Sequence, residues 1–214
     1  MFSRTLLNAS RIARVARIPP RPIAFTRTHA APSFSRSYAT PSSSPSSSTD
    51  PNLTKAQELI ESGTRALEDQ DLSAAREFYQ QSVDVKETPE GWYNLANCEY
   101  HLQNKEGAIA AWERSIALQP FPDAHTNLAS AYIFDKPPKP ALAIKHLTAA
   151  LALAPEDPEI AFNLAAVLES AGKLDTALTL YQKAEAGGID RAAQNVRNVS
   201  AKLIGEKAKQ QGPQ

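Results

Sequence analysis

The apolar positions of this chain recur as a block. Asn94-Leu95-Ala96, Asn127-Leu128-Ala129 and Asn163-Leu164-Ala165 stand 33 and 36 residues apart, and each is followed by a small residue in an apolar setting, Ala108, Ala143 and Ala177. A fixed period of about 34 residues predicts helix-turn-helix units stacked into a solenoid, because no single unit buries its own apolar face and neighbours must do it together. Helix-start signals fall in phase with the repeat: Thr88-Pro89-Glu90 and Asp157-Pro158-Glu159 each put a capping oxygen before a first-turn proline.

The fullest copy reads Trp92, Leu95, Ala96, Ala108, Trp112 and Pro120. The next reads His125, Leu128, Ala129, Tyr132, Ala143, Leu147, Ala150 and Pro155, with two extra residues taken up in the turn that holds Pro137, Pro138 and Pro140. A third gives Leu164, Ala165, Leu168, Gly172, Ala177, Tyr181 and Ala184, with Ile189 in place of the terminal proline. Upstream, Leu59, Gly63, Ala66, Ala75 and Tyr79 make a weaker copy. This pattern resembles the tetratricopeptide repeat (TPR) family, and the resemblance covers roughly residues 54 to 190. It implies an all-α fold, a right-handed superhelical solenoid of helix pairs with a C-terminal capping helix. The columns have a physical reason. Small residues at Gly63, Ala96, Ala129 and Ala165 face Ala75, Ala108, Ala143 and Ala177, so paired helices approach closely. Tyr79, Trp112, Leu147 and Tyr181 then plug the space between successive pairs.

The expected organisation is a targeting presequence over 1–38, a Ser/Pro linker over 39–53 and a degenerate first repeat over 54–88. Further repeats follow over 89–121, 122–157 and 158–189, then a capping helix over 190–206 and a tail over 207–214. On the capping helix Ala193, Val196, Val199, Leu203 and Ile204 form the apolar face that covers the last repeat.

Charge divides the chain in two. The formal net charge is zero, yet residues 1–38 hold seven arginines and no acid, leaving 16 basic and 23 acidic residues beyond, a net −7. Arg4, Arg11, Arg14 and Arg17 alternate with Leu7, Ile12, Val15 and Ile18 at spacings that allow an amphipathic helix, and Arg36-Ser37-Tyr38-Ala39 resembles a matrix-processing site. This predicts a mitochondrial matrix protein; a basic tail or an arm for nucleic acid is the other reading of the composition, and no nucleic-acid partner is expected. One cysteine excludes an intrachain disulfide, and no apolar run is long enough to span a membrane.

The resemblance implies that the first helix of each pair lines a concave groove, with Tyr93, Asn94, Asn97, Thr126, Asn127, Ser130, Phe162 and Asn163 pointing into it. An asparagine amide both donates and accepts, so Asn94, Asn127 and Asn163 form a ladder suited to the main chain of an extended peptide; the alternative is a solvated or helix-bridging consensus residue. Members of the family that grip the C-terminal carboxylate of cytosolic heat-shock chaperones do so with Lys, Asn and Arg. In one register this chain offers Ile60, Thr64, Asn94, Asp123 and Asn127 at those places, and in the next Tyr93, Asn97, Asn127, Glu159 and Asn163. Without cations a carboxylate would be desolvated unpaired, so that partner is excluded. Glu90, Asp123 and Glu159, with Glu61, Glu68 and Glu169, make the groove acidic, and His101 is its main cation; the expected partner is a neutral or basic extended segment of another protein.

Chemistry has little foothold. The histidines fall in no metalloprotease-like motif, no Gly-rich phosphate loop occurs, and the pair Cys98 and His101 cannot close a metal site alone. No cofactor and no enzymatic activity are expected. His125 stands in a column usually apolar or aromatic and Glu99 where Tyr is common, departures that fit local packing. Two functions remain open: an adaptor holding an extended segment, or a constitutive structural subunit docked through the convex face or the Trp-bearing edges.

Overall fold

A computed structural model describes residues 50–211. The predicted presequence, and the linker up to residue 49, lie outside the described residues, as do residues 212–214. Nine helices are present among the described residues: α1 (Pro51–Glu68), α2 (Leu72–Val85), α3 (Pro89–His101), α4 (Lys105–Leu118), α5 (Pro122–Ile133), α6 (Pro140–Leu153), α7 (Pro158–Ser170), α8 (Leu174–Ala186) and α9 (Asp190–Gln211). They pair as α1–α2, α3–α4, α5–α6 and α7–α8, each pair packs on the next, and α9 lies on α8.

The ends of the helices follow from local chemistry. Thr88 Oγ1 accepts from the Gly91 amide and Asp157 Oδ1 from the amides of Glu159 and Ile160, with Pro89 and Pro158 filling first-turn positions where a missing N–H costs nothing. Asp50-Pro51 carries the same signal: Asp50 Oδ1 accepts from the Asn52 amide. Helix α1 therefore begins at Pro51, three residues before the expected first repeat. At the other end α9 continues to Gln211, past the expected boundary at 206. Its buried stripe is Ala192, Val196, Val199 and Leu203, and Ile204, one step round the helix, is 69% exposed rather than part of the covering face.

Within a pair, the turn needs a left-handed residue. Gly172 supplies it at φ 78°, whereas Gln70 and Gln103 adopt it at φ 62° and 64°, at the usual cost for a residue with a side chain. In the third repeat the two-residue insertion replaces that turn with Asp135–Lys139, held by Lys105 and Lys139 pairing with Asp135.

Close approach is visible atom by atom. A Cβ on Gly63 would stand 2.7 Å from the Tyr79 ring, and Ala75, Ala96, Ala108, Ala143, Ala165 and Ala177 are fully buried. Tyr79, Trp112, Leu147 and Tyr181 fill the spaces between pairs. Each aromatic plug brings a polar atom that must find a partner in the dry interior. Tyr79 Oη pairs with Thr64 Oγ1 at 3.2 Å, Trp112 Nε1 donates to Asn97 Oδ1 at 3.1 Å, and Tyr181 Oη donates to Glu169 Oε2 at 2.9 Å. Leu147 needs none.

The two column departures are also packing devices. Glu99 is buried and accepts from Arg76 Nε and Asn104 Nδ2, both at 2.8 Å, so its charge ties α2 to α3 and to the following turn. His125 on α5 and His146 on α6 meet Nδ1 to Nδ1 at 3.0 Å, and the Tyr132 ring stacks on His146. Such a bond requires one ring to donate and the other to accept, so both cannot be cationic. Burial most of all, and the Lys145 charge, hold both below the ordinary imidazole value; His125 also lowers His146, and Glu113 opposes the shift there.

Two predictions follow from this packing. Ser82 and Ser115 occupy equivalent places in α2 and α4; Ser115 Oγ donates to the Pro89 carbonyl at 2.7 Å, while Ser82 Oγ is buried with no partner among the described residues. Ser82→Ala should raise the thermal midpoint and Ser115→Ala should lower it, each by about 1–3 kcal/mol, the cost of a buried unpaired polar group. At about 2–4 °C per kcal/mol, scanning calorimetry resolves both. For the histidines, the unfolded chain binds protons near 6.5 while the folded pair resists them, so stability is full above that value and falls as pH drops through and below it. Thermal melts from pH 8 to 5 should show this decline, and His125→Phe should flatten it; an unchanged slope would mean the pair does not titrate as described.

Candidate functional site

The first helices of three successive pairs, α3, α5 and α7, stand side by side, and their exposed edges meet α9 at a cavity of about 190 Å³. Tyr93 closes one wall, Asp123, Thr126, Asn127 and Ser130 come from α5, Asp157, Glu159, Ile160 and Asn163 from α7 and its cap, and Arg191 from α9. A cavity this small lies below the roughly 300–1,000 Å³ of small-molecule sites and holds a side chain or a few waters.

The predicted groove residues do not share one environment. Thr126, Ser130 and Asn163 are half-buried and line the cavity. Asn94 is half-buried on α3 but outside the lining, as is Asn97. Asn127 is buried and both hydrogens of its Nδ2 are committed, to Tyr93 Oη and to Asn97 Oδ1, each at 3.1 Å. The expected ladder of three equivalent amides is thus corrected: Asn127 bridges repeats, and its donors are withdrawn from any ligand. Tyr93 is buried edge-on against Phe121, and burial pushes its hydroxyl up to about 12. Phe162 also turns inward, packed edge-on against Tyr181 with ring centroids 5.4 Å apart, because the bulky plug Tyr181 offers it apolar cover.

The acidic residues differ as well. Glu159 is paired with Arg191, whose guanidinium carbon also stands 4.4 Å from the Phe162 ring centre. Glu169 is paired with Lys202 and accepts from Tyr181. Asp123 is exposed at the start of α5. Glu90, in the first turn of α3, has its carboxyl raised by desolvation. Glu61 and Glu68 are exposed on α1, away from the cavity. Sequence reasoning therefore overstated the free negative charge and missed its counterion. Arg191 carries no motif; the signal was only its place, one residue into the capping helix that follows the last pair. His101, the expected cation, is exposed and sits edge-on to Tyr100.

Cys98 and His101 do not converge: the thiol is buried, and desolvation pushes it up to about 12, while the imidazole faces solvent. Among the described residues no group of three or more His, Cys, Asp or Glu is placed to hold a metal. No described helix is long and apolar enough to cross a membrane.

Comparison with known proteins agrees with this architecture. Two family profiles, both described as tetratricopeptide repeat, match residues 89–121 and 139–196. Among solved structures the fold is similar to MamA (residues 41 to the end) from Desulfovibrio magneticus RS-1, at 19% identity and a TM-score of 0.61, covering 72% of this chain and 88% of that one. It is similar to YrrB, described as a TPR protein with an unusual peptide-binding site, at 21% identity and a TM-score of 0.61, covering 71% and 84%. It is also similar to a chain of the Cut9–Hcn1 hetero-tetramer of the APC/C, at 19% identity and a TM-score of 0.57, covering 73% of this chain and 31% of that one. Comparison with curated proteins gave no match. In the matched segments the chain is similar to tetratricopeptide repeats, and its described helices share the all-α, paired-helix fold of these solved structures.

Proposed function

We propose that this chain is an adaptor that holds an extended segment of a partner protein in the groove along α3, α5 and α7, serving assembly or quality control of mitochondrial protein complexes. The observation that carries this reading is the polar cavity where α5, α7 and α9 meet, with Thr126, Ser130 and Asn163 at its surface. Polar side chains on a rigid concave wall suit main-chain groups of an extended segment, which brings its own unpaired N–H and C=O. YrrB, of the same fold, is described as having a peptide-binding site, which makes peptide capture a natural use of such a solenoid. The mitochondrial part rests on the arginine-rich, acid-free residues 1–38 and the processing-like Arg36-Ser37-Tyr38-Ala39.

A second reading has its own observation. Val85, Leu118 and Leu153 are the last residues of α2, α4 and α6, and they are 37%, 39% and 46% exposed. This repeated apolar edge on the second helices favours a constitutive subunit docked away from the groove.

Because Asn127 is internal, the groove is tested without it. Asn127→Ala should lower stability by about 1–3 kcal/mol, since Tyr93 Oη loses its donor and Asn97 Oδ1 keeps only that of Trp112; Asn94→Ala and Asn163→Ala should leave the melt unchanged. Proximity labelling and crosslinked capture from purified mitochondria then compare the intact chain with an Asn94→Ala, Asn163→Ala double variant. The adaptor reading expects the chain in the matrix with a mature start at Ala39, and a small partner set lost in the double variant. Partners that persist there but vanish with Leu118→Ser and Leu153→Ser favour the subunit reading, and failure to enter mitochondria removes the organelle from the proposal.

A further inference from the structure

The hydrogen-bond inventory of the cavity is one-sided. Thr126 Oγ1 donates its hydrogen to the Pro122 carbonyl at 3.0 Å and Ser130 Oγ to the Thr126 carbonyl at 3.1 Å, so each hydroxyl shows a ligand only lone pairs. Asn127, nine-tenths buried, has both Nδ2 hydrogens bound, while its Oδ1 accepts nothing among the described residues. Asp157 spends Oδ1 on two backbone amides, and its other oxygen only accepts. Glu159 only accepts. The protein's own donors here are the Asn163 amide, what Arg191 has left after pairing with Glu159, and the Tyr93 hydroxyl, which accepts from Asn127 and keeps its own hydrogen.

A wall of acceptors cannot be satisfied by a carboxylate or a carbonyl, and acceptors crowded together repel a second acceptor. It is satisfied by a group rich in N–H. At about 190 Å³ the space suits one side chain and not a whole ligand. The chain itself shows what this edge selects: Arg191, half-exposed, is parked on Glu159 and over the Phe162 ring. We infer that the cavity is a subsite for a single lysine or arginine side chain of the bound segment, and that Arg191 competes with it for Glu159 and so limits its affinity.

This inference rests on the groove reading above, and the test separates the two. The ¹⁵N-labelled full chain is titrated with n-propylguanidinium and n-butylammonium as probes, and with butyrate as the anionic control. The cations should give saturable shifts at Thr126, Ser130 and the Asn163 side-chain amide, and butyrate none there. Arg191→Gln should tighten the cations about two- to fivefold, the worth of one half-exposed ion pair removed from competition. Glu159→Gln should weaken them and serves as the second variant if loss of Arg191 disturbs α9. Equal shifts from butyrate, no saturable shift at those three residues, or cation binding indifferent to Glu159→Gln would each overturn the subsite. Loss of partners in the Asn94 and Asn163 double variant without cation shifts would sink this inference alone. Cation shifts with partners unaffected by the groove would sink the adaptor reading.

Discussion

The close crossing of paired helices is the constraint on which the rest of the structure depends. Two helices approach this tightly only where small residues stand at the contact: Gly63 leaves the room that the Tyr79 ring fills, and buried alanines line the crossings of the later pairs. Small residues leave a gap on either side of the crossing. That gap is filled by a large plug, Tyr79, Trp112, Leu147 or Tyr181, and the plug is what each pair presents to the next. The period of the sequence is thus the period of a packing problem and its solution.

The plugs also reach into the groove's chemistry. Tyrosine and tryptophan carry a polar atom into a dry interior, and the partner must come from the neighbouring first helix: Thr64, Asn97 and Glu169 supply it. Asn97 then accepts from Asn127 as well, so a side chain that reads as a groove residue is held by the core from one side and by the adjacent repeat from the other. In the third pair the plug is Leu147, no polar partner is called for, and Thr126 and Ser130 bond their own helix instead. Part of the concave polar pattern is therefore dictated by which plugs are aromatic, with no reference to a ligand.

This explains what the sequence could and could not disclose. The small columns, the plugs, the capped prolines and the covering helix all produce periodic signals, since each is repeated by the same geometry; the helix pairs were legible for that reason. Asp50-Pro51 carried the same signal as Asp157-Pro158 but stood next to a Ser/Pro-rich run, which masked it. The groove was legible only as a list of positions. Asn94, Asn127 and Asn163 are identical in the repeat, yet Asn127 alone meets a Tyr93 hydroxyl and an Asn97 carbonyl from the preceding pair. Period identifies columns, and the neighbours that vary between columns decide whether an amide is spent or free. Arg191 was invisible for a related reason: it lies outside the repeat, and its reach to Glu159 crosses 32 residues of sequence.

The end of a solenoid is where such non-periodic residues gather, because the last pair has no successor to cover it. Here α9 covers α8 with Ala192 and Val199, and in doing so swings Arg191 over the edge of α7. The last repeat therefore differs from the inner ones in charge as well as in neighbours: Glu159 and Glu169 both meet cations from α9, Arg191 and Lys202. Capping the apolar end and neutralising the adjacent groove are consequences of one helix. Among the described residues lining the cavity the guanidinium is that of Arg191, so the same helix that closes the fold also supplies the positive charge at its edge.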